Sequence, residues 1–151
     1  MTLHFAYGSN MSRAVMGRHA PGAEPVGVAS LANHRFLIAT HGHASVAPMV
    51  GKTVHGVLWR IAPRDRVALD AWENIAAKLY RAETVPVRCG DRLRPALIYI
   101  ARRSSAGRPK AGYMELVIAA ALEWHLPNLY IDELKGWLPR HPHKRKEFRW
   151  T

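Results

Sequence analysis

The segment Leu3-His4-Phe5-Ala6-Tyr7-Gly8-Ser9-Asn10-Met11 decides how the rest of the chain is read. Its first five residues are apolar or aromatic enough for a buried strand, which Gly8 breaks. Ser9, Asn10 and Ser12 are each good N-cap residues, and Ser12 to His19 can then run as a short helix. The segment thus reads as strand, tight glycine turn, helix start. Such a turn aims several backbone N–H groups at one point, where the helix dipole favours negative charge. Gly8 has no Cβ to hold a ligand off the backbone. Gly8, Ser9 and Asn10 are therefore a candidate cradle for a carboxylate or oxyanion, with an ordinary strand-to-helix turn as the plainer alternative.

Length and composition set the frame. A chain of 151 residues with 48% hydrophobic residues fits one globular domain with a core of its own. Cys89 is the single cysteine, so no internal disulfide can form, and the chain reads as intracellular and cytoplasmic. No signal peptide is recognisable, and no apolar run approaches the roughly 20 residues of a membrane helix. Lys and Arg number 22 against 11 Asp and Glu, a net charge of +11. That balance permits an acidic partner, nucleic acid or anionic small substrates. The charge is spread along the chain except for His141-Pro142-His143-Lys144-Arg145-Lys146. Residues 1–138 are read as the domain and 139–151 as a basic, solvated tail, with nucleic acid the less favoured partner.

Further along, Pro25 to Leu31 and Arg35 to Thr40 read as strands separated by a turn at Asn33-His34. Ser45 to Pro48 reads as a short edge strand, Gly51-Lys52 as a turn, and Val54 to Ile61 as a strong strand. Pro63 suits the first position of a helix that Asn74 stops. Leu79 to Arg88 and Pro95 to Ala101 form a hairpin around Cys89-Gly90-Asp91. Arg102 to Gly112 is a polar loop. Gly112 to His125 is the clearest helix, with Tyr113, Leu116, Val117, Ala120, Ala121 and Trp124 at helical spacing. Leu126-Pro127 ends it, and Asn128 caps a last helix through Trp137. Strands first, helices last and one helix between them give an α+β order. No dinucleotide or Walker fingerprint is present.

Glu73 closes the segment Leu69-Asp70-Ala71-Trp72-Glu73, in the last turn of the middle helix. A carboxylate there opposes the dipole, which raises its proton affinity and suits a base. A surface glutamate paired with Lys78 or a nearby arginine is the competing reading. His41-Gly42-His43 offers two imidazoles but no third ligand, so no metal site is assigned. Neither Ser9 nor Cys89 sits in a nucleophile motif.

Taken in order, these segments resemble the γ-glutamylcyclotransferase superfamily, including its AIG2-like members. The resemblance is carried by Tyr7-Gly8-Ser9-Asn10-Met11, Gly56-Val57-Leu58-Trp59, Leu69-Asp70-Ala71-Trp72-Glu73, Tyr80-Arg81, Gly112-Tyr113-Met114-Glu115-Leu116 and Leu126-Pro127-x-x-Tyr130. Asn74 and His125 stand where many members have glycine. The resemblance implies a small mixed β-barrel flanked by helices. It also implies a reaction, release of 5-oxoproline from a γ-glutamyl amine or γ-glutamyl amino acid, that needs no cofactor. Glu73 would be the general acid/base, and the Gly8–Asn10 N–H groups would hold the carboxylate or oxyanion. Tyr7, Tyr80 and Tyr113 would line the pocket. The alternative is a non-enzymatic AIG2-like binding protein that engages an acidic partner or nucleic acid through its positive charge.

Overall fold

The structure is a computed structural model that describes residues 2–73, 78–102 and 105–139. Five strands close into a barrel in the order β1-β3-β2-β4-β5. They are β1 (Thr2–Ala6), β2 (Glu24–Ile38), β3 (Ala44–Ile61), β4 (Tyr80–Cys89) and β5 (Arg92–Ala101). Four helices accompany them: α1 (Arg13–His19), α2 (Pro63–Trp72), α3 (Tyr113–Glu123) and α4 (Asn128–Lys135). β1 lies antiparallel to β3, Thr2 opposite Ile61 and Ala6 opposite Val57. It closes the barrel by running parallel to β5, His4 opposite Leu97. The remaining neighbours are antiparallel. This is the mixed barrel flanked by helices that the family resemblance implied.

Close approach explains Gly56. A Cβ there would stand 2.2 Å from the Ala6 carbonyl oxygen, so only glycine lets β1 lie flat on β3. Phe5, Leu58, Ile61 and Ile98 are fully buried, and each large apolar side chain so buried contributes about 1.5–3 kcal/mol. Met114, Val117, Ile118, Ala120 and Ala121 form the buried face of α3. Leu116 is half exposed, contrary to the helical-spacing reading. The stripe is rotated toward Met114 and Ile118, which leaves Leu116 at its edge.

The strand boundaries needed more correction. The expected turn at Asn33-His34 is a bulge inside one continuous strand, with the β2–β3 register shifting between Ala32 and His34. Asn33 takes φ 60° there, a conformation asparagine tolerates, and its side chain accepts from Gly51 N–H at 3.1 Å. The expected short strand, turn and strong strand from Ser45 to Ile61 are likewise one strand of 18 residues. Pro48 is accommodated opposite His34, at the irregularity. At the last helix, Pro127 and not Asn128 is the N-cap, and no side chain caps it. The Asn74 stop and the basic tail from residue 140 onward lie outside the described residues.

Candidate functional site

β1 ends at Ala6 and is followed directly by Tyr7 and Gly8. One turn of 3-10 helix, Ser9–Met11, follows before α1 begins. The Ser12 side chain caps α1 by accepting from Val15 N–H at 3.2 Å. Ser12 starts α1, as the sequence reading expects of a helix over Ser12–His19. The intervening 3-10 turn moves the helix dipole away from Gly8, so the dipole is centred at Ser12. Gly8 also differs in what it makes room for. A Cβ on Gly8 would meet the Tyr113 hydroxyl at 2.7 Å, so the missing side chain admits Tyr113 against the turn. Met11 and Ser12 return their N–H groups to Gly8 and Ser9 carbonyls. Among the described residues, no backbone carbonyl accepts from the N–H groups of Gly8, Ser9 and Asn10, and the Ser9 backbone reaches the Tyr113 hydroxyl.

Beside this turn lies a cavity of about 440 Å³. Tyr7, Gly8, Ser9, Asn10, Glu73, Tyr80 and Tyr113 all line it, so every site residue picked from the sequence reaches one space. Glu73 is the C-cap of α2, and its N–H donates to the Leu69 carbonyl at 2.8 Å. Burial pushes its carboxyl up to about 7. The direction agrees with the sequence reading, but desolvation is the cause. Neither Lys78 nor any other described cation forms an ion pair with it.

The tyrosines are anchored as well as exposed to the cavity. Tyr7 donates to the Tyr99 carbonyl at 2.5 Å, and Tyr80 donates to the Ala44 carbonyl at 2.7 Å. Tyr113 accepts from Ala44 N–H at 3.2 Å, which leaves its own hydrogen available to donate. Burial, then neighbouring charge, raises the pKa of Tyr7 and Tyr80, and burial raises that of Tyr113. All three are neutral hydroxyls at physiological pH.

Several lining residues were missed. Tyr99, on β5, faces the cavity and donates to Asp70 Oδ1 at 2.6 Å. His4 donates from Nδ1 to the Leu97 carbonyl at 3.3 Å, and burial lowers its pKa to about 4. His19, Arg18 and Trp72 contribute from α1 and α2. Alternation along β5 places Tyr99 on the same face as Leu97, a signal the apolar run Ala96–Ile100 concealed.

A sequence profile of the AIG2-like family matches residues 53–134, a little over half of the chain, and the chain belongs to that family. No curated protein sequence gives a significant match. Among solved structures, the chain is similar to one named gamma-glutamyl cyclotransferase, with a TM-score of 0.86 at 23% identity over 92% of this chain and 89% of that one. It is similar to an uncharacterized protein from Homo sapiens to the same degree, at 25% identity over the same shares. YkqA from Bacillus subtilis follows with a TM-score of 0.79 at 25% identity, over 93% of this chain but only 56% of YkqA. The fold is thus the γ-glutamylcyclotransferase-like one. Among the described residues, no helix is long and apolar enough to cross a membrane.

Proposed function

We propose that this protein is a cyclotransferase that releases 5-oxoproline from a γ-glutamyl amine or γ-glutamyl amino acid, with Glu73 as general acid/base. One observation carries the reading: a carboxyl raised to about 7 by burial shares a cavity with the Gly8–Asn10 turn. A base is most effective when its pKa lies near the working pH.

The reaction is intramolecular. The substrate's own α-amine attacks its γ-carbonyl, so nucleophile and electrophile are already close. Glu73 takes a proton from the α-ammonium group. The freed amine closes the ring, and the tetrahedral oxyanion is met by the N–H groups of residues 8–10. The bond from the γ-carbon to the leaving nitrogen then breaks. Of the three hydrogens on the α-ammonium, one stays on the lactam nitrogen and two end on the leaving amine. Glu73 relays protons and finishes as it began. Tyr7, Tyr80 and Tyr113 shape the space, and Tyr113 can donate to the substrate.

The test is 5-oxoproline release from a panel of γ-glutamyl amines, γ-glutamyl amino acids and glutathione. Release from at least one donor is expected. No release from any of them would move the non-enzymatic binding reading ahead.

A further inference from the structure

Charge inside the cavity is sparse. Among the described lining residues Arg18 is the one formal cation and Glu73 the one carboxylate. Burial holds His4, His19 and His43 toward their neutral forms. Arg18, Trp72 and Leu116 are the exposed members of the lining, so they mark the mouth. Trp72 is 52% exposed and Leu116 is 50% exposed, so two large apolar side chains that line the cavity also face water. The Trp72 ring is braced against His19, centroids 3.8 Å apart, and His19 is hydrogen-bonded to Asn10 Oδ1 at 3.0 Å. Arg18 pairs with no described carboxylate. Its place in the last turn of α1 suits the helix dipole, but the dipole does not require it to line a cavity.

We propose that this mouth recognises the leaving half of the substrate, an amino acid with a free carboxylate and a bulky apolar side chain. Arg18 takes the carboxylate, and Trp72 and Leu116 take the side chain. The inference rests on the cyclotransferase reading, which turns the γ-glutamyl half inward. Ring closure must occur beside Glu73, and residues 8–10 are assigned to the inner charges. The leaving nitrogen then points outward, and whatever it carries meets the mouth. A simple amine gains nothing from Arg18, and a leaving group with an extra ammonium is repelled by it.

Three ligands separate these contributions: γ-glutamylphenylalanine, γ-glutamyl-2-phenylethylamine, which lacks the carboxylate, and γ-glutamylalanine, which lacks the ring. Their affinities are measured by calorimetry on Glu73→Gln protein, so that turnover does not intrude. Loss of the carboxylate should weaken binding about 10- to 100-fold, and loss of the ring about tenfold. Adding Arg18→Gln should close the first gap, and Trp72→Ala or Leu116→Ala should narrow the second. Equal affinities, gaps that survive these substitutions, or no binding by any of the three at millimolar concentration would overturn the proposal. Wild-type turnover is read separately. Gaps that close as expected while no donor yields 5-oxoproline would keep the mouth as a binding site and remove the cyclotransferase reading.

Discussion

Helix α2 carries a carboxylate at each end, and the protein treats the two in opposite ways. At the N-terminal end Asp65 is buried, and both of its oxygens are used. Oδ1 accepts from Gly22 N–H at 3.1 Å and Oδ2 from Ala62 N–H at 3.0 Å. At the C-terminal end Glu73 is partly buried beside four tyrosines, and no described group hydrogen-bonds its carboxylate. One carboxylate is spent on holding a loop and a helix start together. The other is left with its proton affinity raised to about 7. Burial alone therefore does not mark a site; burial without compensating donors does.

The sharpest way to break this comparison is Glu73→Gln. The substitution keeps shape and hydrogen-bonding reach but removes the base, so kcat on a verified donor should fall at least about 100-fold. Product affinity should change little. Near-normal turnover would remove Glu73 from the mechanism. On the wild type, kcat/KM should fall as pH drops through about 7, because the base is then protonated.

The same substitution has a thermodynamic signature of opposite sign. The folded carboxyl titrates near 7 and its ordinary value is 4.5, so the folded state holds its proton more tightly. Wild-type stability gained from that proton is complete below about 4.5 and is lost as pH rises through about 7. Glu73→Gln should therefore be the more stable protein above pH 7, by up to about 3 kcal/mol, and the advantage should vanish below pH 4.5. Urea melts of both proteins across that range check it. A stability gap that does not vary with pH would mean that Glu73 is not held in a desolvated site.

Asp65→Asn probes the other end. An amide offers only one acceptor where two N–H groups converge, so stability should fall by about 2 kcal/mol. Turnover well below the melting temperature should persist. A large loss of turnover with intact stability would make the two ends of α2 alike and cancel the contrast.

The contrast also shows what could be seen in the sequence. The strand-glycine segment, the Val54–Ile61 strand and Glu73 were legible because each breaks or fulfils a local rule: a glycine turn, a run of bulky strand formers, a carboxylate at the wrong helix end. The barrel came through the resemblance, since strand order implies nothing about closure. The continuity of β2 and β3 was hidden, because Asn33, Pro48 and Gly51 punctuate a bulged strand as they would punctuate a turn. Asp65 was passed over because its partners, Gly22 and Ala62, give no sequence signal. Tyr99 was missed within a run of apolar residues.

Tyr99 links the two behaviours, and its loss should have the smallest effect. Its hydroxyl donates to Asp70 Oδ1, which also accepts from Arg66 Nε at 3.1 Å. Asp70 lies one helical turn before Glu73, so the bond ties the Glu73 end of α2 to β5. Tyr99→Phe removes one charge-assisted hydrogen bond but leaves Asp70 its arginine and some solvent. The cost should be about 1 kcal/mol, seen as a melting point lower by roughly 2–4 °C. Turnover should fall less than tenfold, through a looser Glu73. A double-mutant cycle with Asp70→Ala should show coupling, because each single change already breaks the bond. If Tyr99→Phe instead lowered kcat as far as Glu73→Gln with the melting point unchanged, the hydroxyl would belong to the chemistry and not to the anchoring of the helix.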